Sequence, residues 1–484
     1  MSYSTKTKPI QQHPLFDAAV QYPSNIALRM GKTSLTFSDL YLQAMQMATG
    51  FSRRGIQPGQ RVALGVLPAI EMIISIWACM LANIIVFPLN VRFPRASILE
   101  ILADVKPALT LSTMAYPHFA TMTFAELQQE AEQMDPVDPP PFKVTDATSL
   151  LMTSGSSGRV KFVQHSHQNH IQSALGSSQN IPLGLSDRWL LSLPLYHIGG
   201  LSIMFRTVLA GAALIIPEEK HSTLRDIELQ DITHVSLVAT QLQRFLRDES
   251  GPGILSGMKA ILLGGSAIPH SLIQKSLEYA LPIHVSYGST EMASQIATTS
   301  GDHRDAALAG SGKVLPGREL IISHEGEILV KGETLAQGYL ENRQLIELRD
   351  EDGWFHTGDV GYVNVWGELT VTGRMDNQFI SGGENVQPEH IERILCKIPG
   401  ILSAMVIPQA DDEFGSRPVA YLEVSPTVPT GEEINQKLRN SLPGYMLPIA
   451  YYELPRELID KHLKISRQDL LKMTYSGNKH LHSL

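Results

Sequence analysis

Strand-like and helix-like segments alternate along the chain, and this alternation restricts the fold more than any other feature. A hairpin is predicted over residues 26–37, and Ser38 is predicted to cap the helix that follows. A buried strand over residues 61–67, a helix ending near Asn83 and another strand over residues 84–87 come next. This order of strand, helix and strand is typical of a parallel sheet covered by helices.

The remainder of the chain divides into segments with different predicted secondary structure. A second alternating passage covers residues 189–293, shorter strands with glycine turns follow it, and residues 380–473 have the size of a small α+β domain. We therefore predict an α/β fold. A large N-terminal domain (1–375) would contain two α/β subdomains and a small β-rich subdomain, followed by a small mobile α+β C-terminal domain (376–484). The Pro- and acid-rich residues 121–146 are predicted to form an external loop.

Composition argues against several classes of protein. A net charge of −9 over 484 residues provides no basic surface for nucleic acid. Cys79 and Cys396 are too few for a disulfide framework or a cysteine zinc site, which favours a reducing, cytoplasmic location. Residues 72–89 are apolar but contain interior polar residues and a β-branched cluster, so we predict a buried helix and a strand there, and no membrane span. The sequence leaves a homo-oligomer open.

A run rich in hydroxyls and glycine follows the apolar residues 150–152. It consists of Thr153, Ser154, Gly155, Ser156, Ser157, Gly158, Arg159, Val160 and Lys161. Glycines allow backbone N–H groups to point into one concavity, and the hydroxyls and the lysine ammonium would complete a site for phosphate. The spacing is not that of a Walker A loop. An ordinary Ser/Gly surface turn is the alternative.

Further motifs occur at intervals after the Ser/Gly run. Residues 287–291 combine an aromatic ring, a glycine, hydroxyls and a carboxylate, which suits a base, phosphates and Mg²⁺. Asp359 follows a glycine turn, where it suits ribose hydroxyls, and Arg374 supplies a cation further on. A second glycine loop lies at residues 381–385. Taken singly, such segments are also typical of a helix cap, a hairpin turn and a solvated arginine.

In this order, the motifs resemble those of the adenylate-forming superfamily, which includes acyl-CoA synthetases, luciferases and the adenylation domains of peptide synthetases. The resemblance covers nearly the whole chain. The Ser/Gly run departs from the family pattern at Arg159, which keeps the charge, and at Val160 and Phe162, which replace a proline and a glycine. Five segments are more specifically similar to the branch that joins 2-succinylbenzoate to coenzyme A in menaquinone synthesis. They are residues 191–197, 233–238, 262–269, 380–385 and 464–468.

The resemblance implies an acid–thiol ligase that uses Mg²⁺, with ATP and coenzyme A as cosubstrates. A carboxylate attacks the α-phosphate of ATP, giving an acyl-adenylate and pyrophosphate, and the coenzyme A thiol then displaces AMP. Two catalytic roles are implied: Lys464 bridges the carboxylate and the α-phosphate, and Glu291 binds Mg²⁺. Lys161 would hold the outer phosphates, and Asp359 with Arg374 would hold the ribose. The other implied nucleotide-binding residues are Thr153, Ser154, Gly155, Ser156, Ser157, Gly158, Gly265, Ser266, Tyr287, Gly288 and Thr290.

The acid substrate is implied to lie near His197, a further catalytic position that borders the acyl site, and near Gly288. Arg206 is the candidate for holding a second carboxylate, because burying that charge unpaired costs several kcal/mol. Pairing of Arg206 with an acid at a domain surface is the alternative. Two other functions also stay open: a CoA ligase for another aryl or fatty acid, and a nucleotide-binding relative without turnover.

The C-terminal motifs imply a moving domain. Gly382 and Gly383 would border the pantetheine tunnel, since a side chain there would block the thiol. Asp376 matches the hinge position of the superfamily. Rotation about this hinge would present Lys464 for adenylation and the glycine loop for thioester formation.

Overall fold

The computed structural model confirms an α/β fold assembled from several sheets. Two large sheets and a four-stranded sheet are built from the chain up to Arg374, and a two-stranded and a three-stranded sheet follow. The structure describes residues 12–154, 160–218, 220–301, 306–425, 429–455, 467, 470 and 471.

The first region alternates strands and helices as predicted. Its elements are α1 (Pro14–Gln21), β1 (Ile26–Met30), β2 (Thr33–Thr36), α2 (Phe37–Arg53), β3 (Arg61–Leu64), α3 (Ala69–Leu81), β4 (Ile85–Pro88), α4 (Arg95–Val105), β5 (Leu109–Leu111), β6 (Thr121–Met122), α5 (Phe124–Glu132), β7 (Ala147–Ser154), β8 (Val160–Ser166) and α6 (His167–Ser178). Helix α2 buries Leu40, Ala44 and Met47 at helical spacing. No helix in the described ranges is long and apolar enough to cross a membrane.

Two local predictions in this region are wrong. Thr36, and not Ser38, caps α2, because the Thr36 hydroxyl accepts a hydrogen bond from the backbone N–H of Asp39 at 3.1 Å. Residues 121–146 are not wholly a loop, since β6 and α5 lie within them. Helix α5 buries Leu127 and packs on α2, which provides the apolar contact that the composition of this stretch did not suggest.

The second region repeats the alternation. Its elements are β9 (Arg188–Leu190), α7 (Ile198–Ala210), β10 (Ala213–Ile215), α8 (Thr223–Leu229), β11 (His234–Leu237), α9 (Ala239–Phe245), α10 (Gly251–Ser256), β12 (Ala260–Leu263), α11 (His270–Glu278), β13 (Ile283–Ser289), β14 (Ser294–Thr298), α12 (Ala306–Ala309) and β15 (Lys313–Val314). Strands β9 to β12 are short and almost entirely buried, as expected for parallel strands covered on both faces.

A β-rich region follows, as predicted. Its strands are β16 (Arg318–Ile322), β17 (Glu327–Gly332), β18 (Gly338–Glu341), β19 (Gln344–Ile346), β20 (Phe355–Val363) and β21 (Leu369–Arg374). Strands β16, β17, β20 and β21 form an antiparallel sheet of their own, with glycine turns between the strands. Strands β18 and β19 leave this sheet and join the first region instead.

The two large sheets exchange strands between regions of the chain. The nine-stranded sheet has the order β15-β14-β13-β12-β11-β9-β10-β1-β2, so the N-terminal hairpin pairs with the second region. The eight-stranded sheet has the order β19-β18-β8-β7-β4-β3-β5-β6. Its core strands β3, β4, β5 and β7 are parallel. One apolar cluster joins both sheets through residues of α2, α3 and α7.

The C-terminal region has apolar clusters of its own. A 3-10 turn (Met375–Asn377) leads into β22 (Phe379–Ser381), β23 (Glu384–Val386), α13 (Pro388–Leu395), β24 (Ile401–Asp411), β25 (Gly415–Val424), α14 (Gly431–Leu438), a second 3-10 turn (Gly444–Met446) and β26 (Tyr451–Glu453). Val386, Ile391, Leu395 and Leu422 pack in its main cluster.

Candidate active site

Predicted nucleotide-binding residues lie where parallel strands of the nine-stranded sheet end. β12 and β13 are parallel neighbours, so Gly265 and Ser266, just beyond β12, lie at the same sheet edge as Tyr287 and Gly288. Such carboxyl edges are the usual ligand sites of α/β proteins. At Gly288, a Cβ would lie 1.7 Å from the carbonyl oxygen of Ser294, so only glycine allows the β13–β14 hairpin to close.

Asp359 joins Tyr287 and Arg374 in one cluster. The Tyr287 hydroxyl donates to Oδ2 of Asp359 at 2.7 Å, and Nη1 of Arg374 donates to Oδ1 at 2.9 Å. Asp359 and Arg374 face each other across β20 and β21, so strand register sets this pairing. Burial, and then the Asp359 charge, raises the pKa of Tyr287 well above its ordinary value. Burial acts to lower the pKa of Arg374, but the Asp359 and Asp376 carboxylates outweigh it and raise that pKa. Arg374 is therefore a cation at neutral pH.

Glu291 and Lys161 contact the same tyrosine. The hydroxyl of Tyr339 donates to Oε1 of Glu291 at 2.7 Å, and Nζ of Lys161 lies 4.7 Å from the centre of the Tyr339 ring. Burial, followed by the charge of Glu291, raises the pKa of Tyr339. Tyr339 bonds one oxygen of the Glu291 carboxylate, so Oε2 suits a hard cation such as Mg²⁺, which prefers carboxylate oxygens. The carboxylate predicted to bind a metal and the cation predicted to bind phosphate are thus held around one side chain.

Arg206 is buried in α7, beside the β13–β14 hairpin. Its Nη2 donates to Oε1 of Gln295 at 2.8 Å and to Oγ of Ser294 at 3.3 Å, and the guanidinium carbon lies 5.2 Å from the Trp189 ring centre. Within the described residues, no carboxylate pairs with this guanidinium, and its Nε has no hydrogen-bond partner. Burial, and then the charge of Arg318, lowers the pKa of Arg206 to about 9. The side chain is therefore still a cation at neutral pH.

His197 and Thr290 lie at the ends of elements that border this edge. His197 precedes α7 as its N-cap residue and is exposed. Desolvation by its surroundings, and then the charge of Arg92, lowers the pKa of His197, which favours the neutral imidazole at pH 7. The carbonyl of Thr290 lies 2.7 Å from Nε2 of the buried His165, which donates to it. The segment between β13 and β14 is thereby tied to β8.

Some predicted residues lie outside the described residues. They are Gly155, Ser156, Ser157, Gly158 and Lys464, together with the side chain of Ser154. The strands on either side of the Ser/Gly run are described, and Thr153 of β7 pairs with Lys161 of β8 in antiparallel register. This register sets Lys161 at the same end of the hairpin as the Ser/Gly run.

The glycine loop of the C-terminal region is the turn between β22 and β23. Gly382 and Gly383 have φ of +60° and +85°, which glycine adopts without strain. A Cβ at Gly382 would also lie 2.7 Å from the ring of Phe414. Asp376 lies in the 3-10 turn before β22, with Oδ2 3.4 Å from Nη2 of Arg374. The positive φ angles thus give both turn glycines a local structural reason, and Phe414 of the same region is the close described neighbour of Gly382.

The residues that support these side chains were missed in the sequence. Tyr339 orients Glu291, and Gln295 holds Arg206. Thr357 steadies Asp359, because its hydroxyl accepts from the Asp359 backbone N–H at 3.0 Å and donates to the Ile328 carbonyl at 2.7 Å. Thr357 lies in a segment that the sequence singled out, but Tyr339 and Gln295 carry no motif signal, since each occupies an ordinary strand position.

Most of the chain matches known protein families. The AMP-binding enzyme family matches residues 15–340, and the C-terminal domain of AMP-binding enzymes matches residues 390–461. Among curated relatives, the 2-succinylbenzoate–CoA ligase of Escherichia coli K12 is 35% identical over 445 residues, which cover 92% of this chain and 94% of that protein. The ligase of the same name from Haemophilus influenzae is 40% identical over 327 residues, covering 66% and 70%.

Solved structures show the same similarity in three dimensions. o-Succinylbenzoate CoA synthetase (MenE) from Bacillus subtilis, in complex with the acyl-adenylate intermediate OSB-AMP, superposes with a TM-score of 0.83 at 30% identity, covering 95% of this chain and 98% of that one. The same enzyme in complex with ATP and magnesium ion gives a TM-score of 0.81 at 30% identity, covering 91% and 95%.

Proposed function

Because this chain belongs to the AMP-binding enzyme family, as the resemblance of its motifs predicted, we propose that it uses ATP to join 2-succinylbenzoate to coenzyme A. The reaction passes through an acyl-adenylate and releases pyrophosphate and then AMP, as a step of menaquinone biosynthesis. The likeness to ligases of this name extends over nearly the whole length of the chain. Two unpaired, buried cysteines agree with a cytoplasmic location for the reaction.

The choice of acid rests on Arg206, whose charge is not compensated by any carboxylate among the described residues. 2-Succinylbenzoate has one carboxylate that reacts and a second, aromatic carboxylate that must be bound without reacting. A buried cation without an acidic partner in the described chain is costly unless a ligand supplies the opposite charge. Arg206 lies beside Ser294, against which Gly288 packs, so a carboxylate paired with it would be held near the adenylate-forming edge.

The nucleotide would be held by the clusters at the strand ends. Asp359 offers its carboxylate to the ribose hydroxyls, and Arg374 fixes the orientation of that carboxylate. Gly265, Ser266 and Tyr287 would line the adenine site. Glu291 would hold Mg²⁺, which supplies positive charge to the phosphates when bound.

Two cations would act on the phosphates and the reacting carboxylate. Lys161 would reach the outer phosphates from β8, and Lys464 would bridge the attacking carboxylate and the α-phosphate. Both act by positioning and by compensating charge, because phosphoryl transfer gathers negative charge between the entering and leaving oxygens. His197 would border the acyl site as a neutral imidazole.

A domain rotation would separate the two half-reactions. We take residues 1–375 as the N-terminal domain and 376–484 as the mobile C-terminal domain, with Asp376 as the hinge. The separate apolar cluster of the C-terminal region supports this division, since a body with its own core can move as a unit. In one pose Lys464 would serve adenylation. In the other, Gly382 and Gly383 would border the path of the thiol.

The direct test is product analysis. The chain is mixed with ATP, Mg²⁺, coenzyme A and 2-succinylbenzoate, and the products are identified by mass spectrometry. We expect 2-succinylbenzoyl-CoA, AMP and pyrophosphate. A panel of other aryl and fatty acids in ATP–pyrophosphate exchange serves as the comparison. Equal exchange with simple monocarboxylic acids would refute the assignment of the acid, and no exchange with any acid would refute the ligase.

A variant tests the carboxylate subsite. Arg206→Ala should raise the KM for 2-succinylbenzoate by about 10- to 100-fold, the range expected for a hydrogen-bonded charge pair, and should leave the KM for ATP nearly unchanged. Arg225→Ala is the matched control, because Arg225 is an exposed arginine that pairs with Glu228 at the surface. An unchanged KM for the dicarboxylic acid in Arg206→Ala would remove Arg206 from the site.

A further inference from the structure

Gln295 connects Arg206 to the strand behind the site. It is buried in β14, opposite Gly288 of β13. Its Oε1 accepts a hydrogen bond from Nη2 of Arg206 at 2.8 Å, and its Nε2 donates to Oγ1 of Thr298 at 2.7 Å. Both the oxygen and the nitrogen of the side-chain amide therefore make hydrogen bonds.

A chain of hydroxyl groups fixes which end of the amide faces Arg206. The carbonyl of Ala297 can only accept, so the Ser286 hydroxyl must donate to it, at 3.0 Å. Ser286 then has to accept from the Thr298 hydroxyl, also at 3.0 Å, and Thr298 in turn has to accept from Nε2 of Gln295. The oxygen of Gln295 consequently points to Arg206, as the geometry of a guanidinium donor requires.

No described partner of Arg206 carries a negative charge. Gln295 contributes an amide, Ser294 a hydroxyl and Trp189 a ring. A second buried arginine, Arg318, donates from Nε to the backbone carbonyl of Gln295 at 2.6 Å. Its other described hydrogen bonds are made to carbonyl groups and to one serine hydroxyl. Two guanidinium groups thus meet at one glutamine, and the described surroundings neutralise neither.

The contrast with Asp359 shows what a carboxylate does at such a position. Asp359 binds Arg374 at 2.9 Å and compensates its charge within the protein. Glutamate has the length of glutamine, so a glutamate at position 295 would do the same to Arg206. The uncharged side chain found there holds the guanidinium by a hydrogen bond and leaves its charge for a ligand.

We propose that Gln295 is a specificity-determining residue for the acid: it positions Arg206 with a neutral oxygen and so reserves the guanidinium charge for the second carboxylate of the substrate. This inference rests on the proposed function. It adds that the preference for a dicarboxylic acid depends on the absence of charge at position 295, and not on the presence of Arg206 alone.

The test is Gln295→Glu, which changes the charge at almost constant size. The acids compared are 2-succinylbenzoate and 4-oxo-4-phenylbutanoate, which lacks the ring carboxylate. The ratio of their kcat/KM values should fall by about 10- to 100-fold in Gln295→Glu, the range for loss of one charge-assisted pair, while the KM for ATP changes little. Gln295→Met is the matched control: it removes the hydrogen bonds but adds no charge, so the ratio should fall less.

The outcomes separate this inference from the proposed function. If Arg206→Ala leaves the ratio unchanged, the carboxylate subsite itself is wrong. If Arg206→Ala lowers the ratio and Gln295→Glu does not, or if Gln295→Met lowers it as much as Gln295→Glu, the inference alone is overturned. Should Gln295→Glu fail to fold, Ser294→Asp and its neutral match Ser294→Asn pose the same question, because Oγ of Ser294 lies 3.3 Å from Nη2 of Arg206. An equal ratio in these two variants would then overturn the inference.

Discussion

Mild acid should destabilise this protein strongly, because four histidines are buried near one another in their neutral form. His13, His165, His167 and His170 have almost no exposed surface. The ring centres of His13 and His167 are 5.5 Å apart, and those of His165 and His170 are 4.9 Å apart. His170 also stacks on Phe205 at 4.7 Å, so the group lies directly behind the helix that carries Arg206.

The direction of the effect follows from the pKa values. Burial lowers the pKa of His165 to about 4 and that of His167 to about 3, from an ordinary 6.5. Burial, and then charges of neighbouring histidines, places the pKa of His13 and of His170 well below the ordinary value as well. Below pH 6.5 the unfolded chain takes up protons that the folded chain does not. These histidines therefore do not reduce the free energy of unfolding well above pH 6.5. Below that pH, the free energy of unfolding falls as the pH is lowered toward 4.

Each buried histidine contributes separately to the loss in the free energy of unfolding. At pH 5.5 an unfolded histidine with a pKa of 6.5 is stabilised by RT ln 11, about 1.4 kcal/mol, relative to its neutral form. Four such residues together lower the free energy of unfolding by about 5 kcal/mol between pH 7.5 and pH 5.5. This loss is comparable to the total stability of many domains, about 5–15 kcal/mol.

Urea unfolding at pH 7.5 and 5.5 measures the effect, with His167→Phe as the informative variant. Neither ring nitrogen of His167 has a hydrogen-bond partner among the described residues, so phenylalanine removes a titrating group and retains a packed ring. The variant should lose about 1 kcal/mol less than the wild type between the two pH values. His324→Ala is the control, because His324 is exposed. Equal losses in wild type and His167→Phe would show that the buried histidines do not cause the acid sensitivity.

Three further outcomes are expected. Asp359→Asn should raise the KM for ATP by about 10-fold in ATP–pyrophosphate exchange, because the neutral amide loses the charge-assisted bond to Arg374 and the one proposed to ribose. An unchanged KM would exclude Asp359 as the ribose ligand. Tyr339→Phe should raise the Mg²⁺ concentration for half-maximal activity by about 3- to 10-fold, since Glu291 loses a 2.7 Å hydrogen bond, whereas an identical Mg²⁺ titration would show that Tyr339 does not position that carboxylate. Lys464→Ala should slow acyl-adenylate formation by about 10³-fold in single-turnover assays, and a normal rate would contradict its bridging role.

The pattern of the sequence accounts for much of the fold and for the identity of many site candidates. Alternating apolar segments predicted the parallel sheets, and glycine turns predicted the β-rich region, because periodicity and turn chemistry are short-range properties. Errors occurred where two local signals competed. Thr36 and Ser38 are both good helix caps, and only the Asp39 side chain decides for Thr36. Helix α5 was missed because its packing surface belongs to α2, which lies far away in the sequence.

The partners of the candidate site residues come from distant parts of the chain and were not predicted from the sequence. The motifs made Arg206, Glu291 and Asp359 candidates for the site. They did not indicate that Gln295, 89 residues after Arg206, would face that arginine, or that Tyr339, 48 residues after Glu291, would bond that carboxylate. The sequence also did not indicate that the N-terminal hairpin joins the sheet of the second region. Motif chemistry is carried by residues that are neighbours in the sequence, whereas burial and charge compensation depend on segments that meet only when the sheets assemble.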